Sequence, residues 1–212
     1  MISKPRKGAI SNVVVNHISN NIKEYVIVSL CFLIGIFMGV MFINNTDETK
    51  QQEITGYVSN YIEKVKEKDI VTVENLQDNM KENIILVLAL WFLGTTIIGI
   101  PIVFGIIAFR GFCIGYTISA CTLTLGLTKG IMFIAISIIL QNLILIPSIL
   151  ALGVSGIKLY ESIMKDKRKE NIKIEVIRHT IFSLLMFAAI ATSSVIQIHI
   201  SGRMLKYFIK YF

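Results

Sequence analysis

The sequence predicts an all-α fold, a polytopic membrane helix bundle of about five transmembrane helices with a small helical extracytoplasmic segment. Of the 212 residues, 54% are hydrophobic and only 17% are charged, whereas a soluble domain carries about 25% charged residues. Residues 90–150 contain only two charges, Arg110 and Lys129. A charge at a bilayer centre costs several kcal/mol, about 2.5–3.5 on insertion scales. The apolar residues fall into five blocks near membrane-crossing length.

The first elements are a basic segment at 1–24 and a first span at 25–43. Lys and Arg are enriched on the cytoplasmic side of membranes, so we expect residues 1–24 to be cytoplasmic. The first apolar block is long and no small-residue cleavage site follows it. It therefore resembles a retained span rather than a signal peptide.

The next element is the polar segment 44–83, which holds nine acidic and five basic residues, a net charge of −4. That balance predicts an extracytoplasmic position. Apolar residues recur at helical spacing on one face of a predicted helix, and a second helix is predicted from Val73 to the second span. The stripe consists of Ile54, Tyr57, Val58, Tyr61, Ile62 and Val65.

This stripe has few apolar neighbours within the polar segment. It must lie on the membrane surface, pack on the second outer helix, or bind a partner. Its polar face mixes Glu with Lys, whereas membrane-surface helices favour Lys and Arg there, so protein contact is favoured. We hypothesise a partner-binding surface made of Tyr57, Val58, Tyr61, Ile62 and Val65.

Residues 84–157 are predicted to form three closely linked spans, at 84–109, 112–127 and 131–157. The chain would turn at Arg110 on the cytoplasmic side and at Lys129 on the outer side. The block at 112–127 is short, about 24 Å against a bilayer core of about 30 Å. A re-entrant hairpin is therefore the alternative to a full span.

The last elements are a linker at 158–178 and a C-terminal region at 179–212, which holds the last span at 180–200 and an amphipathic tail. The linker has seven basic and four acidic residues, a net charge of +3, so it is predicted to be cytoplasmic. Five spans then leave the C-terminus outside. The basic tail fits this less well, and a fifth block that turns back would place it inside.

Two pairs of glycines, Gly35 with Gly39 and Gly111 with Gly115, are spaced four residues apart. Small residues at this spacing let membrane helices approach closely. The pairs suit either packing within the chain's own bundle, which we favour, or a subunit interface in a homo-oligomer.

Polar and proline residues inside the apolar blocks are the remaining candidates. Pro101 and Pro147 are predicted to kink their helices. Gln141 and Asn142 require hydrogen-bond partners in the bilayer, which favours an interhelical clamp over a polar permeation or partner site. Arg110 is interpreted as a topology anchor whose side chain reaches the cytoplasmic face, with a specific contact as the alternative.

No pattern of catalytic, cofactor-binding or metal-ligating residues is found, so we predict none of these sites and no enzyme activity. The three cysteines lie in apolar blocks without metal-ligand spacing, and no hydrolase or nucleotide-binding motif occurs. No Asp or Glu falls inside a predicted span, which argues against a proton-coupled carrier. The net charge of +7 indicates contact with anionic membrane lipids rather than nucleic acid.

One stretch of sequence resembles the stage II sporulation protein M family of endospore-forming bacteria. The resemblance depends on residues in and around the second to fourth apolar blocks: Asn83, Leu93-Gly94, Gly99-Ile100-Pro101, Arg110-Gly111, Gly115, Gln141-Asn142 and Pro147.

The resemblance implies a multi-pass scaffold of the cell membrane, located at the sporulation septum and the engulfing mother-cell membrane. Such a scaffold recruits stage II sporulation proteins D and P, which cut septal peptidoglycan so that the mother-cell membrane can migrate around the forespore. A transporter or channel subunit, with a polar path at Gln141 and Asn142, is the alternative function.

Overall fold

The computed structural model describes residues 9–67, 73–96, 98–165 and 172–197, and nearly all of these are helical. A π-helical turn, Ala135–Ile139, joins the sixth and seventh helices into one long rod. The helices are α1 Ala9–Asn20, α2 Ile22–Asn44, α3 Glu48–Glu67, α4 Val73–Gly94, α5 Gly99–Leu125, α6 Leu127–Ile134, α7 Leu140–Lys165 and α8 Ile172–Ile196.

The direction of the first helices follows from contacts between residues distant in sequence. Helices α2 and α5 are parallel, because Cys31 lies beside Phe104 and Asn44 lies beside Ser119. Helix α7 is antiparallel to both, since Lys158 near its end pairs with Glu24 at the start of α2. We call this end of the bundle the Glu24 end, and the opposite one the Asn44 end.

Helix α4 completes the bundle between α7 and α8. It is parallel to α7, because Asn79 bonds to Gln141 while Gly94 meets Gly156. It is antiparallel to α8, because Asn79 also bonds to Gln197. The chain therefore reverses direction between successive long helices from α4 to α8.

In the part of the chain that the structure describes, four helical segments are long and apolar enough to cross a membrane: Ile22–Asn44, Gly99–Leu125, Gln141–Met164 and Ile172–Ile196. Helix α4 differs because its first half carries Asp78, Lys81 and Glu82. Its apolar part, residues 84–94, is about 16 Å long against a bilayer core of about 30 Å. The all-helical membrane class is confirmed, with four candidate spans among the described residues where about five were predicted.

The predicted turn at Arg110 is wrong. Helix α5 passes through Arg110 without a break, and the chain turns between Gly94 and Gly99. There the hydroxyls of Thr95 and Thr96 donate to the carbonyls of Phe92 and Leu93 at 2.6 and 3.0 Å. These bonds satisfy carbonyls that the end of α4 leaves without a helical partner.

Two other expectations about this region also change. Pro101 lies in the first turn of α5, where an N–H has no helical acceptor, so it starts a helix rather than kinking one. The short block at 112–127, for which a re-entrant hairpin was the alternative, is largely the second half of α5. Helix α5 as a whole has 27 residues and is about 40 Å long.

The next turn lies at Gly126 rather than at Lys129. Gly126 has a φ of +77°, a left-handed conformation that glycine adopts without steric cost. Lys129 lies in the first turn of α6, which folds back along the end of α5. A Cβ atom on Gly130 would lie only 2.7 Å from the Cα of Thr122, so the two helices are in backbone contact there.

The hydrophobic core lies at the centre of the bundle, where α2, α4, α5, α7 and α8 meet. Its most buried members are Val28, Leu90, Val103, Ile107, Leu145, Ile149, Leu152 and Ile190. A smaller apolar cluster at the Asn44 end joins α3 to the α5–α6 turn through Ile62, Cys121, Phe133 and Ile134. This second cluster positions α3 against the bundle.

Candidate functional site

An amide cluster links α4, α7 and α8 near the Asn44 end. Asn83 is only 4% exposed and donates to Asn79 Oδ1 at 2.9 Å and to Ser194 Oγ at 2.8 Å. Asn79 Nδ2 donates to Gln197 Oε1 at 2.5 Å, and Gln141 Nε2 donates to Asn79 Oδ1 at 3.3 Å. The cluster therefore cross-links three helices through one buried hydrogen bond and three partly buried ones. Polar groups in such surroundings are costly to leave unpaired.

Sequence reasoning found only part of this cluster. Gln141 was selected because it lies in an apolar block, whereas Asn79 and Ser194 were missed since their partners are more than 60 residues away in sequence. The spacing of Asn79 and Asn83, four residues apart on one helix face, was a signal for a shared site. Gln141 is buried, whereas the neighbouring Asn142 is half-buried, so the two amide side chains do not lie on the same face of α7.

A second polar contact lies at the Glu24 end, around His179. This side chain is only 2% exposed. Its Nδ1 lies 2.8 Å from Ser155 Oγ and its Nε2 lies 3.4 Å from the backbone oxygen of Trp91. A carbonyl can only accept, so Nε2 carries the proton and Nδ1 accepts from the serine hydroxyl.

This pair differs from a hydrolase dyad in two respects. The second ring nitrogen of His179 meets a backbone carbonyl rather than an orienting carboxylate. Both Ser155 and His179 are largely buried, and only a small part of each reaches the wall of a neighbouring cavity. The contact instead joins α4, α7 and α8 where Gly94 and Gly156 allow close approach, since a Cβ on Gly156 would lie 3.0 Å from Gly94 Cα.

A charged network surrounds a cavity of about 660 Å³ at the same end. Lys158 Nζ lies 2.5 Å from Glu24 and 3.2 Å from Glu161. On the cavity wall, the ring of His17 in α1 stacks on Phe182 with centroids 4.3 Å apart. Burial lowers the pKa of His17, and the positive charge of Lys158 adds to this effect. Within the described ranges, no three His, Cys, Asp or Glu side chains could hold a metal ion together.

The four predicted glycines lie at the contact between α2 and α5. A Cβ atom on Gly35 would overlap the backbone of Ala108, and one on Gly39 would overlap that of Phe112. The same holds for Gly111 and Gly115, which meet the α2 backbone. Both small-residue faces are therefore occupied within the chain, which leaves neither one open for a subunit interface.

The predicted partner-binding stripe on α3 divides into two parts. Ile62 is only 7% exposed and packs with Cys121, and the half-buried Val58 packs beside them. Tyr57 is 80% exposed and Tyr61 is also exposed, so only the two tyrosines face outward. The side chain of Val65 lies outside the described residues. The stripe contacts the ends of α5 and α6, which was not among the three environments predicted for it.

The other two predicted residues lie within long helices. Pro147 is inside α7 and points away from the core, and Ser148 Oγ donates to the Ile144 carbonyl at 2.7 Å in the turn that the proline weakens. Arg110 is half-buried in the middle of α5. It is thus inside a candidate span rather than at a turn.

The geometry can be compared with known proteins. A family model described as stage II sporulation protein M matches residues 28–201. No curated protein and no solved structure matches the chain. The matched region extends from α2 to the end of α8 and so includes the amide cluster, the His179 contact and the α2–α5 glycines. Because it covers well over half of the sequence, the chain belongs to the stage II sporulation protein M family.

Proposed function

We propose that this chain is an integral membrane scaffold that recruits and localises peptidoglycan-degrading proteins at the sporulation septum during engulfment. The family match over residues 28–201 is the observation on which the proposal depends. By resemblance, its partners are the stage II sporulation proteins D and P. The scaffold contributes position rather than chemistry, so we propose no enzymatic activity, cofactor or metal for it.

The internal bonding of the polar groups supports this proposal. Gln141, Asn79 and Asn83 bond to one another, and His179 bonds to Ser155 and the Trp91 carbonyl. Groups used in this way hold helices together. The transporter alternative gains no support from them, because a permeation path needs polar groups that are free to meet a solute.

We further propose that the chain crosses the membrane five times, with α4 as the fifth crossing helix. Although α4 is partly polar, the amide side chains of Asn79 and Asn83 bond to α7 and α8 and so have partners inside the bundle. Its charged side chains Asp78 and Lys81 are exposed and lie near the Asn44 end. The Glu24 end is then cytoplasmic, since the described residues of the basic segments 1–24 and 158–178 lie there. The Asn44 end, with the acidic start of α3 at Asp47 and Glu48, is extracytoplasmic.

In this arrangement α3 presents Tyr57 to the space where the septal hydrolases act. An exposed tyrosine on a helix that is itself anchored by Ile62 is a rigid aromatic contact, the kind that dominates protein interfaces. Tyr61, one turn further along, extends the same surface.

The experiment compares two variants in sporulating cells. Tyr57→Ser removes the exposed ring without touching the packed face of α3, and Asn60→Ser is the matched control on the same exposed helix. We expect both variants to insert and reach the septum. With Tyr57→Ser, but not with Asn60→Ser, fluorescently labelled stage II sporulation protein P should become diffuse and engulfment should stall. If a strain that lacks the chain altogether localises protein P normally, the scaffold function is wrong. If protein P is mislocalised in the strain that lacks the chain but is localised normally in the Tyr57→Ser strain, recruitment uses another surface.

A further inference from the structure

Arg110 lies at the middle of the apolar layer of the bundle. Helix α5 is parallel to α2, and the contacts of Phe104 with Cys31 and of Ser119 with Asn44 lie on either side of it. The neighbouring stretch of α2, residues 25–44, contains no charge and is about 30 Å long, the thickness of a bilayer core. The guanidinium is thus attached about halfway between the two charged ends.

No group in the described part of the chain pairs with this arginine. Its Nε is buried without a hydrogen-bond partner, and the ion pairs found involve Lys81, Lys158 and Arg178 instead. The sequence excludes an internal carboxylate at this depth. No Asp or Glu occurs in residues 25–46, 83–160 or 176–212.

An unpaired charge at this depth is costly, and intramembrane charges usually face a functional partner. A guanidinium cannot lose its proton in a protein, so it cannot avoid the cost by becoming neutral. A planar fork of donors fits a carboxylate in a bidentate geometry. The Arg110 side chain therefore requires an anionic partner from another molecule.

The surface beside Arg110 is open to such a group. Phe109 and Ile102 are exposed, and a Cβ atom on Gly105 would meet nothing within 4 Å. A glycine on an open helix face allows a second helix to approach closely. This face is distinct from the α2 contact, where Gly111 and Gly115 are already covered.

We propose that Arg110 pairs with an Asp or Glu in the transmembrane helix of a different membrane protein, which docks along the Ile102–Phe109 face of α5. A second copy of this chain does not fit, because it would bring another arginine and no carboxylate. Lipid phosphates do not fit either, because they lie about 15 Å from the bilayer centre. The inference deepens the proposed scaffold role and rests on it for its biological setting.

The test uses purified protein in phosphatidylcholine vesicles with synthetic leucine-rich transmembrane helices that carry Asp, Asn or Leu at the midpoint. Association is measured by energy transfer between labels on the two molecules. We expect the Asp helix to bind about tenfold more tightly than the Leu helix, as one strong interhelical contact allows. Arg110→Gln should abolish this preference and Arg110→Lys should keep part of it. Leu184→Ile, on the exposed face of α8 and away from the proposed docking surface, should keep all of it.

A charge swap covers the case in which Arg110→Gln fails to fold. Arg110→Asp should prefer a helix with a midpoint Lys over one with a midpoint Asp. Equal binding of the three helices by the wild type, or an Asp preference that survives in Arg110→Gln, would overturn the proposal. The proposal would also be overturned if Arg110→Gln lost phosphatidylglycerol that copurifies with the wild type, without any change in helix binding. That result would assign the site to lipid. None of these measurements involves the proposed partners, stage II sporulation proteins D and P, so failure here leaves the scaffold function intact.

Discussion

At the scale of single residues, glycine and asparagine determine how closely the helices pack. Glycines at the α2–α5 contact bring two backbones together, as Gly35 and Gly111 illustrate. Since no hydrophobic effect drives helices together within lipid, such close packing is a main source of association. Asn83 adds a directional contact between α4 and α8. Both kinds of residue should therefore be sensitive to small substitutions.

We predict that Gly111→Ala destabilises the protein. The added methyl group would overlap the carbonyl oxygen of Phe32, and backbone atoms cannot move aside as a flexible side chain can. Overpacking of this kind costs about 1–3 kcal/mol, which should lower the melting temperature in detergent. Gly105→Ala is the control on the same helix, since its methyl group would enter open space. Equal melting temperatures for the two variants would contradict the α2–α5 packing.

We predict that Asn83→Leu also destabilises the bundle, although leucine is the more apolar residue. The substitution removes the donor to Asn79 Oδ1 and Ser194 Oγ and leaves both in an apolar environment. The expected loss is about 1–2 kcal/mol, the range for hydrogen bonds between membrane helices. Thermal unfolding in detergent measures it, with exposed Asn60→Leu on α3 as the control. A variant as stable as the control would show that the amide cluster does not hold the helices.

At the scale of elements, two of the three helices outside the central bundle, α1 and α3, are attached by few contacts among their described side chains. Helix α3 is held by Ile62 at the end of α5. Helix α1 is held by His17, whose Nδ1 lies 3.1 Å from the Tyr25 hydroxyl while its ring stacks on Phe182. A helix that depends on one titratable side chain should dock in a pH-dependent manner.

We predict that α1 docking weakens in acid. The pKa of His17 is lowered in the folded protein from its usual 6.5, so folding favours the neutral ring. The stabilisation is then fully present above pH 6.5 and is lost as the pH falls through the lowered pKa. Melting temperatures at about pH 7.5 and about pH 5.5 measure this effect.

His17→Phe provides the comparison, because it retains an aromatic ring against Phe182 but cannot titrate. Its melting temperature should fall less than that of the wild type on acidification, because the other titratable groups near this site, His179, Glu24 and Lys158, are present in both proteins. An identical pH dependence in the two proteins would assign the acid sensitivity to another group.

At the scale of the whole molecule, the path of the chain depends on where its turns lie. The turn between α4 and α5 includes Thr95 and Thr96, and both ends of α4 meet other helices of the bundle. If α4 crosses the membrane, Gln77 and Thr95 face opposite sides. The sides of the membrane on which Gln77 and Thr95 lie therefore distinguish five membrane crossings from four.

We predict that Gln77→Cys reacts with an impermeant thiol reagent on intact cells, and that Thr95→Cys reacts only after permeabilisation. Each is made in a chain whose native Cys31, Cys113 and Cys121 are replaced by Ala. Asn60→Cys on α3 should behave like Gln77→Cys, because both lie at the Asn44 end. Reaction of Gln77→Cys and Thr95→Cys from the same side would mean that α4 does not cross the membrane.

The sequence by itself determined the helical membrane class, and with it several elements. The first span predicted at 25–43 corresponds to α2, Ile22–Asn44, because long apolar runs can satisfy their backbone groups in lipid only as helices. The α3 helix, Glu48–Glu67, contains the predicted apolar stripe, and α4 begins at Val73 as expected. The family was also recognisable, since its motif residues lie within one continuous stretch.

Only the tertiary structure decided the turns and the polar partners. The cost of a buried charge favoured a turn at Arg110, whereas the chain turns in the Gly94–Gly99 region. Helix α5 remains intact at Arg110 because packing against α2 through Gly111 and Gly115 stabilises one long helix.

The partners of His179 and Asn83 are similarly non-local. His179 bonds to Trp91, 88 residues away, and Asn83 to Ser194, 111 residues away. Local periodicity shows which residues share a face of one helix. It carries no information on which helix that face will meet, because this depends on the packing of the whole bundle.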